Sequence, residues 1–186
     1  MTKIGIILGS TRPGRNGEAV AHWVHENAAR RTDAEFELVD LLDFKLPLLD
    51  EAYPPSMGRY AQPHTQSWAD KIASFDGFVI VTPEYNRSVP GALKNAIDFL
   101  YAEWTNKAVG FVSYGATGGT RAVEHLRLIA GELQMADVRS QVALSLFNDF
   151  ENFSTFKPID AQRDALTATL DQVIAWTDAL APLRTN

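Results

Sequence analysis

Apolar and polar positions along this chain switch between two periods. Residues 3–8 form a compact, isoleucine-rich run, the pattern of a strand buried on both faces. From Gly17 the spacing changes to three and four, with Val20, Trp23, Val24 and Ala28 on one stripe, which predicts a helix. Residues 35–42 (EFELVDLL) predict a second strand. Residues 43–63 have no period and hold Pro47, Pro54, Pro55 and Pro63, so a long irregular loop is expected. A short helix follows over 65–74, then a buried strand over 75–82 (FDGFVIVT). The pattern continues as a helix over 92–101, a strand over 108–113 (AVGFVS), a helix over 120–135, a strand over 141–146 (QVALSL) and a closing helix over 160–180.

Strands alternate with helices, and the central strands are apolar without interruption. That combination predicts an α/β fold with a parallel sheet covered on both faces. Five strands and five helices fit a single flavodoxin-like domain spanning residues 1–186. It is a three-layer sandwich around a five-stranded parallel sheet of order 2-1-3-4-5. Ligands of such sheets sit beyond the carboxyl ends of the strands at the switch point. The loops after the first, third and fourth strands therefore become the candidates for function.

Composition narrows the chemistry. The 186 residues include no cysteine, which excludes disulfides, thiolate metal sites and a cysteine nucleophile. The net charge of −6 disfavours a nucleic-acid partner. The apolar run near the N-terminus stops at Gly9-Ser10, too short for a signal peptide, and no run reaches membrane-spanning length. A cytoplasmic protein with no membrane partner is expected. His22 and His25 share a helix with Glu18 and Glu26, which reads as a solvated face rather than a metal site. The charges between Arg121 and Arg127 read as an exposed helix face. Trp68, Trp104 and Trp176 read as core or interface anchors.

The first loop, Gly9 to Gly17, joins a strand to a helix and carries Ser10, Arg12, Arg15 and Asn16. Free backbone N–H groups, a helix N-terminus and two guanidiniums are the components of a phosphate site. Gly9 and Gly14 have the glycine spacing of a P-loop. Arg15-Asn16 stands where Lys and Ser/Thr belong, so nucleotide hydrolysis is poorly supported. The second loop, TPEYNRSVPG over 82–91, offers Tyr85 as a ring face and Asn86 as donor and acceptor; Ser88 is a candidate N-cap and Pro90 suits a first helical turn. The third, SYGATGGT over 113–120, has three glycines that permit close approach of a flat ligand.

Together GSTRPGR…G, PEYN-x-S-x-PG-x-LKNAIDFL and SYGATGG resemble the flavin-binding loops of the NADPH-dependent FMN reductase family. The resemblance runs from the first strand to about Leu133. Many relatives carry GS-x-R-x-x-S-x-N in the first loop; here Arg15 and Gly17 occupy those Ser and Asn positions. The resemblance implies FMN as cofactor, with Ser10, Arg12, Arg15, Asn16 and Gly17 around its phosphate. Pro83, Glu84, Tyr85 and Asn86 would border the ribityl chain and ring, and Ser113, Gly115 and Gly118 the other side of the ring. It further implies NADPH or NADH as hydride donor and a quinone, azo, metal or flavin acceptor. No acid–base side chain is required, because the flavin carries the chemistry. An FMN-binding electron carrier or redox-responsive regulator remains the alternative.

Two expectations concern surfaces. The helix after Pro90 is apolar on more than one side (Leu93, Ile97, Phe99, Leu100, Tyr101), which predicts pairing with a second subunit in a homodimer or homotetramer. The 43–63 loop, with Leu48, Leu49, Tyr53, Met57 and Tyr60, is expected to wall the pocket over the isoalloxazine across the subunit interface and thereby set acceptor choice.

Overall fold

The computed structural model describes residues 1–184. Five strands, β1 (Lys3–Leu8), β2 (Glu35–Asp40), β3 (Gly77–Pro83), β4 (Ala108–Gly115) and β5 (Ala136–Ser145), form a parallel sheet of order β2-β1-β3-β4-β5. Every residue of β3 and β4 is buried, as their unbroken apolar runs require. Helices α1 (Gly17–Ala28) and α6 (Asp160–Arg184) cover one face, where Val20, Val24, Leu166, Leu170 and Val173 meet Ile6, Val79 and Val112. Helices α3 (Pro63–Ala73), α4 (Gly91–Asp98) and α5 (Thr120–Glu132) cover the other, around Trp68, Phe78, Trp104 and Phe111. Helix α6 approaches the sheet at Gly110, where an added Cβ would stand 2.7 Å from Val173 Cγ2. None of the helices among the described residues is long and apolar enough to cross a membrane.

The differences from the sequence pattern have local causes. Strand β2 ends at Asp40 because its carboxylate accepts the Leu42 N–H at 2.9 Å and starts a one-turn helix, α2 (Leu41–Phe44). Strand β5 begins at Ala136, five residues before the predicted start at 141, and its register against β4 shifts between Val109 and Phe111. Two-residue strands β6 (Phe150–Glu151) and β7 (Thr155–Phe156) form a hairpin too short to leave a period in the sequence. Buried Asp149 ties this hairpin down by accepting the N–H groups of Ser145 (2.8 Å) and Ile159 (3.2 Å). Pro90, not Ser88, is the N-cap of α4; the Ser88 hydroxyl instead pairs with His125 Nδ1 at 2.8 Å.

The apolar excess around α4 is largely consumed within the subunit. Leu93, Ile97, Phe99 and Leu100 are all buried in the core of this chain. Trp68 and Trp104 are core residues, as expected, while Trp176 is exposed. The 43–63 segment runs along the outer side of α4. The Asn95 side chain donates to Pro47 O at 2.7 Å and accepts from Leu49 N–H at 3.0 Å. Tyr60 donates to Glu103 at 2.9 Å, past the C-terminal end of α4. The segment thus leaves the ligand edge of its own sheet and packs on a helix. The physical reason is the polar side chain of Asn95, which holds the extended chain by its backbone. Leu48, Leu49, Tyr53 and Met57 stay exposed on that side.

Candidate active site

Three strand-to-helix loops meet beyond the carboxyl ends of β1, β3 and β4. The first leaves β1 at Gly9, whose N–H bonds Val81 O at 2.9 Å. Ser10 is fully buried, and its Oγ pairs with Tyr85 Oη at 2.9 Å, joining the first loop to the second. Arg12 is exposed at the outer rim of the loop. Arg15 turns inward instead. Its guanidinium donates to Ser10 O at 2.5 Å and grips both carboxylate oxygens of Asp40 at the end of β2. Only 7% of its side chain is exposed. The two arginines that look equivalent in the sequence therefore have different tasks: Arg12 is free to meet an anion, and Arg15 braces the loop.

Helix α1 has no side-chain cap. Asn occupies its N-cap position, a residue type that ordinarily satisfies the first turn. Here the Asn16 amide donates instead to Phe153 O at 2.8 Å, in the turn of the β6–β7 hairpin. The N-terminus of α1 is left with free N–H groups and the positive end of its dipole, beside Arg12. Gly17 is buried directly against the hydroxyl of Tyr114, on β4. That hydroxyl is buried, with the Gly17 N–H beside it and no acceptor in the protein for its own proton.

The second loop begins with buried Pro83 and turns sharply at Asn86 and Arg87, which have φ of 48° and 72°. Tyr85 and Ser88 exchange backbone hydrogen bonds of 2.9 and 3.0 Å across this turn. Two successive left-handed residues define a primed turn, which asparagine tolerates and arginine adopts only with strain. Glu84 faces away from solvent. Its carboxylate pairs with the Arg121 guanidinium and accepts the Arg121 N–H at 3.2 Å in the first turn of α5. Arg121 is thus not the free surface charge the sequence suggests, and Glu84 is a brace between the second and third loops.

In the third loop, Ser113 Oγ donates to Gly118 O at 2.7 Å and closes the turn. Gly118 and Gly119 have φ of 71° and 69°, and a Cβ on Gly119 would stand 2.8 Å from both Ser113 Cβ and Tyr114 N. A Cβ on Gly115 would lie 3.4 Å from Glu84 Cβ, so loops two and three pack against each other through bare backbone. Past β5, Leu146 N–H bonds Gly115 O at 3.0 Å, and exposed Phe147 and Phe153 meet edge-on at 5.5 Å.

The structure therefore brings Ser10, Arg12, Asn16, Gly17, Tyr85, Ser113, Gly115 and Gly118 to one sheet edge. Asp40, Tyr114, Arg121 and the hairpin were missed in the sequence. Asp40 and Arg121 carry no local signal, because their partners are 25 and 37 residues away. Tyr114 lies inside a buried strand and reads as core.

This arrangement defines a flavodoxin-like protein whose first, second and third loops meet at the switch point of its sheet. The chain belongs to the NADPH-dependent FMN reductase family, whose pattern it matches over residues 2–149. An NAD(P)H-dependent FMN reductase of Schizosaccharomyces pombe is 45% identical over 149 residues, 79% of this chain and 74% of its own length. A quinone reductase of Pseudomonas putida is 33% identical over 186 residues and 93% of each chain. Among solved structures, the flavoenzyme NAD(P)H:(acceptor) oxidoreductase FerB from Paracoccus denitrificans matches with a TM-score of 0.72. It covers 96% of this chain and 98% of its own at 20% identity, a likeness of fold.

Proposed function

We propose that this chain is an FMN-dependent NAD(P)H oxidoreductase that serves a quinone-type acceptor. The observation that carries this reading is the uncapped N-terminus of α1 with exposed Arg12 and, beside it, a buried hydroxyl whose proton has no acceptor in the protein, next to a turn of bare glycines. The residues present fit FMN. Fixed N–H donors and a guanidinium suit a dianionic phosphate, and glycines suit the close approach of a flat ring. When bound, FMN would supply the hydride relay between nicotinamide and acceptor.

The chain's own residues hold and orient. Ser10, Arg12 and Gly17 surround the phosphate position, and Arg15 holds that loop in shape through Asp40 and Ser10 O. Asn16 ties the loop to Phe153 O. Pro83, Glu84, Tyr85 and Asn86 border one side of the ring, and Ser113, Gly115 and Gly118 the other. No side chain in the set is placed as a proton donor or base; Glu84, the one carboxylate, is neutralised by Arg121. Names of relatives support the same activity, since both curated proteins above are reductases of this kind. Steady-state oxidation of NADPH or NADH by the FMN-loaded protein, with benzoquinone as acceptor, tests the reading. Quinone-dependent turnover is expected, and its absence with both nicotinamides would count against it.

The assembly we propose is a homodimer, or a pair of them. Leu48, Leu49, Tyr53 and Met57 of the long loop and Leu128 of α5 are exposed. Between them lies an open cavity of about 650 Å³ lined by Leu49, Ile97, Leu100, Tyr101 and Leu133. Apolar side chains clustered on two elements favour burial against a second copy. Sedimentation at micromolar concentration is expected to give a dimer or tetramer, and a clean monomer would contradict this.

A further inference from the structure

We propose that the hydroxyl of Tyr114 is a ligand of the FMN phosphate, donated from the sheet beneath the first loop. The proposal rests on the FMN reading above and adds a residue to it. Tyr114 is the penultimate residue of β4 and only 5% exposed. Its ring points to the α1 side of the sheet, among the apolar residues beneath that helix. Its hydroxyl has the Gly17 N–H beside it as a donor but finds no acceptor in the protein for its own proton. A buried donor without an acceptor is unfavourable, and natural structures keep few of them. One aimed at an open helix end marks the place of an acceptor the protein does not itself contain.

The position of that hydroxyl is specific. It lies against Gly17, the first residue of α1, where an added Cβ would come within 2.5 Å of the phenol oxygen. Glycine at 17 is what leaves the hydroxyl its place. The polar group in that space arrives from β4.

The surroundings favour a phosphate acceptor. Burial pushes the phenol above its ordinary value, and the nearby Tyr85 adds to this, while Arg12, Arg15 and the Gly17 N–H pull it back. The hydroxyl therefore remains a protonated donor at neutral pH, with both guanidiniums close enough to be felt. The α1 N–H groups have no side-chain cap: Asn16 has a helical backbone, with φ of −67° and ψ of −20°, and its amide N–H is tied to Phe153 O. The ring is also held in place. It packs on Phe150 at 6.3 Å, Phe150 on Phe156 at 5.1 Å, and Phe156 on Trp23 of α1 at 5.6 Å. The β6–β7 hairpin thus fixes the donor and holds the Asn16 amide.

Tyr114→Phe in the full chain, titrated with FMN and with riboflavin by quenching of flavin fluorescence, tests this. Phenylalanine keeps every ring contact. The FMN dissociation constant is expected to rise about tenfold, the scale of one hydrogen bond to a charged group. Riboflavin, which lacks the phosphate, is expected to change less than twofold. Thermal unfolding without flavin is expected to change little in Tyr114→Phe, since the lost hydroxyl has no acceptor for its proton in the protein. Unchanged FMN affinity, an equal loss for both flavins, or a much less stable flavin-free variant overturns the assignment and makes Tyr114 structural. Unaltered protein that binds riboflavin as tightly as FMN would instead overturn the phosphate site itself, and Tyr114 with it.

Discussion

Arg15→Ala is expected to destabilise the protein by about 3 kcal/mol and to weaken FMN and riboflavin together, whereas Arg12→Ala weakens FMN alone. The side chain of Arg15 is 7% exposed and that of its partner Asp40 is 23% exposed. Removing one member of a buried pair leaves the other charge uncompensated, at roughly 3–5 kcal/mol; the part-exposed Asp40 places this pair at the low end. Ser10 O also loses its donor, and Ser10 is the link to Tyr85. The loop that both flavins need is therefore loosened. Arg12 makes no such contact through its guanidinium, so Arg12→Ala is expected to change stability by no more than about 0.5 kcal/mol. Its loss for FMN is about tenfold or more, from one charge-assisted bond to phosphate, with riboflavin spared. Urea unfolding and the paired flavin titrations read both variants. Equal behaviour of the two arginines would refute the division of tasks.

Gly119→Ala carries the second large effect. At φ of 69° the new Cβ would stand 2.8 Å from Ser113 Cβ and Tyr114 N and 2.9 Å from Tyr114 O. Two of those three atoms are backbone of a central strand and cannot move aside. Left-handed strain and overpacking together cost about 2–5 kcal/mol, a fall in midpoint of about 10 °C for a chain of this size. The third loop must shift to relieve the clash, so flavin binding is expected to fall as well. Gly131 is the control: it lies within α5, and a Cβ there meets nothing within 4 Å. Gly131→Ala is expected to raise stability by about 0.5–1 kcal/mol without touching the site. Thermal unfolding of the two variants separates these cases by sign.

The sheet was legible because its physics is local. Runs such as FVIVT and AVGFVS can only be strands buried on both faces, and the alternation with helical stripes leaves few topologies. The three loops were legible because turn chemistry is written in glycine, proline and asparagine. What was not legible depends on partners distant in sequence. Nothing in GSTRPGR says that one arginine turns in and the other out; that is decided by Asp40. Nothing in SYGATGG separates Tyr114 from an ordinary core aromatic until Gly17 is seen against its hydroxyl. The path of the long loop depends on a distant partner too: nothing in its own residues says that Asn95 holds it on α4.

The most direct test of the central claim is the absorbance spectrum of the FMN-loaded protein under anaerobic conditions, before and after stoichiometric NADPH or NADH. Bleaching of the oxidised-flavin bands by a nicotinamide, followed by their return on adding benzoquinone, is the predicted result. Bound FMN that accepts electrons from dithionite but from neither nicotinamide would contradict it, and would make this chain a flavin-binding carrier rather than a reductase.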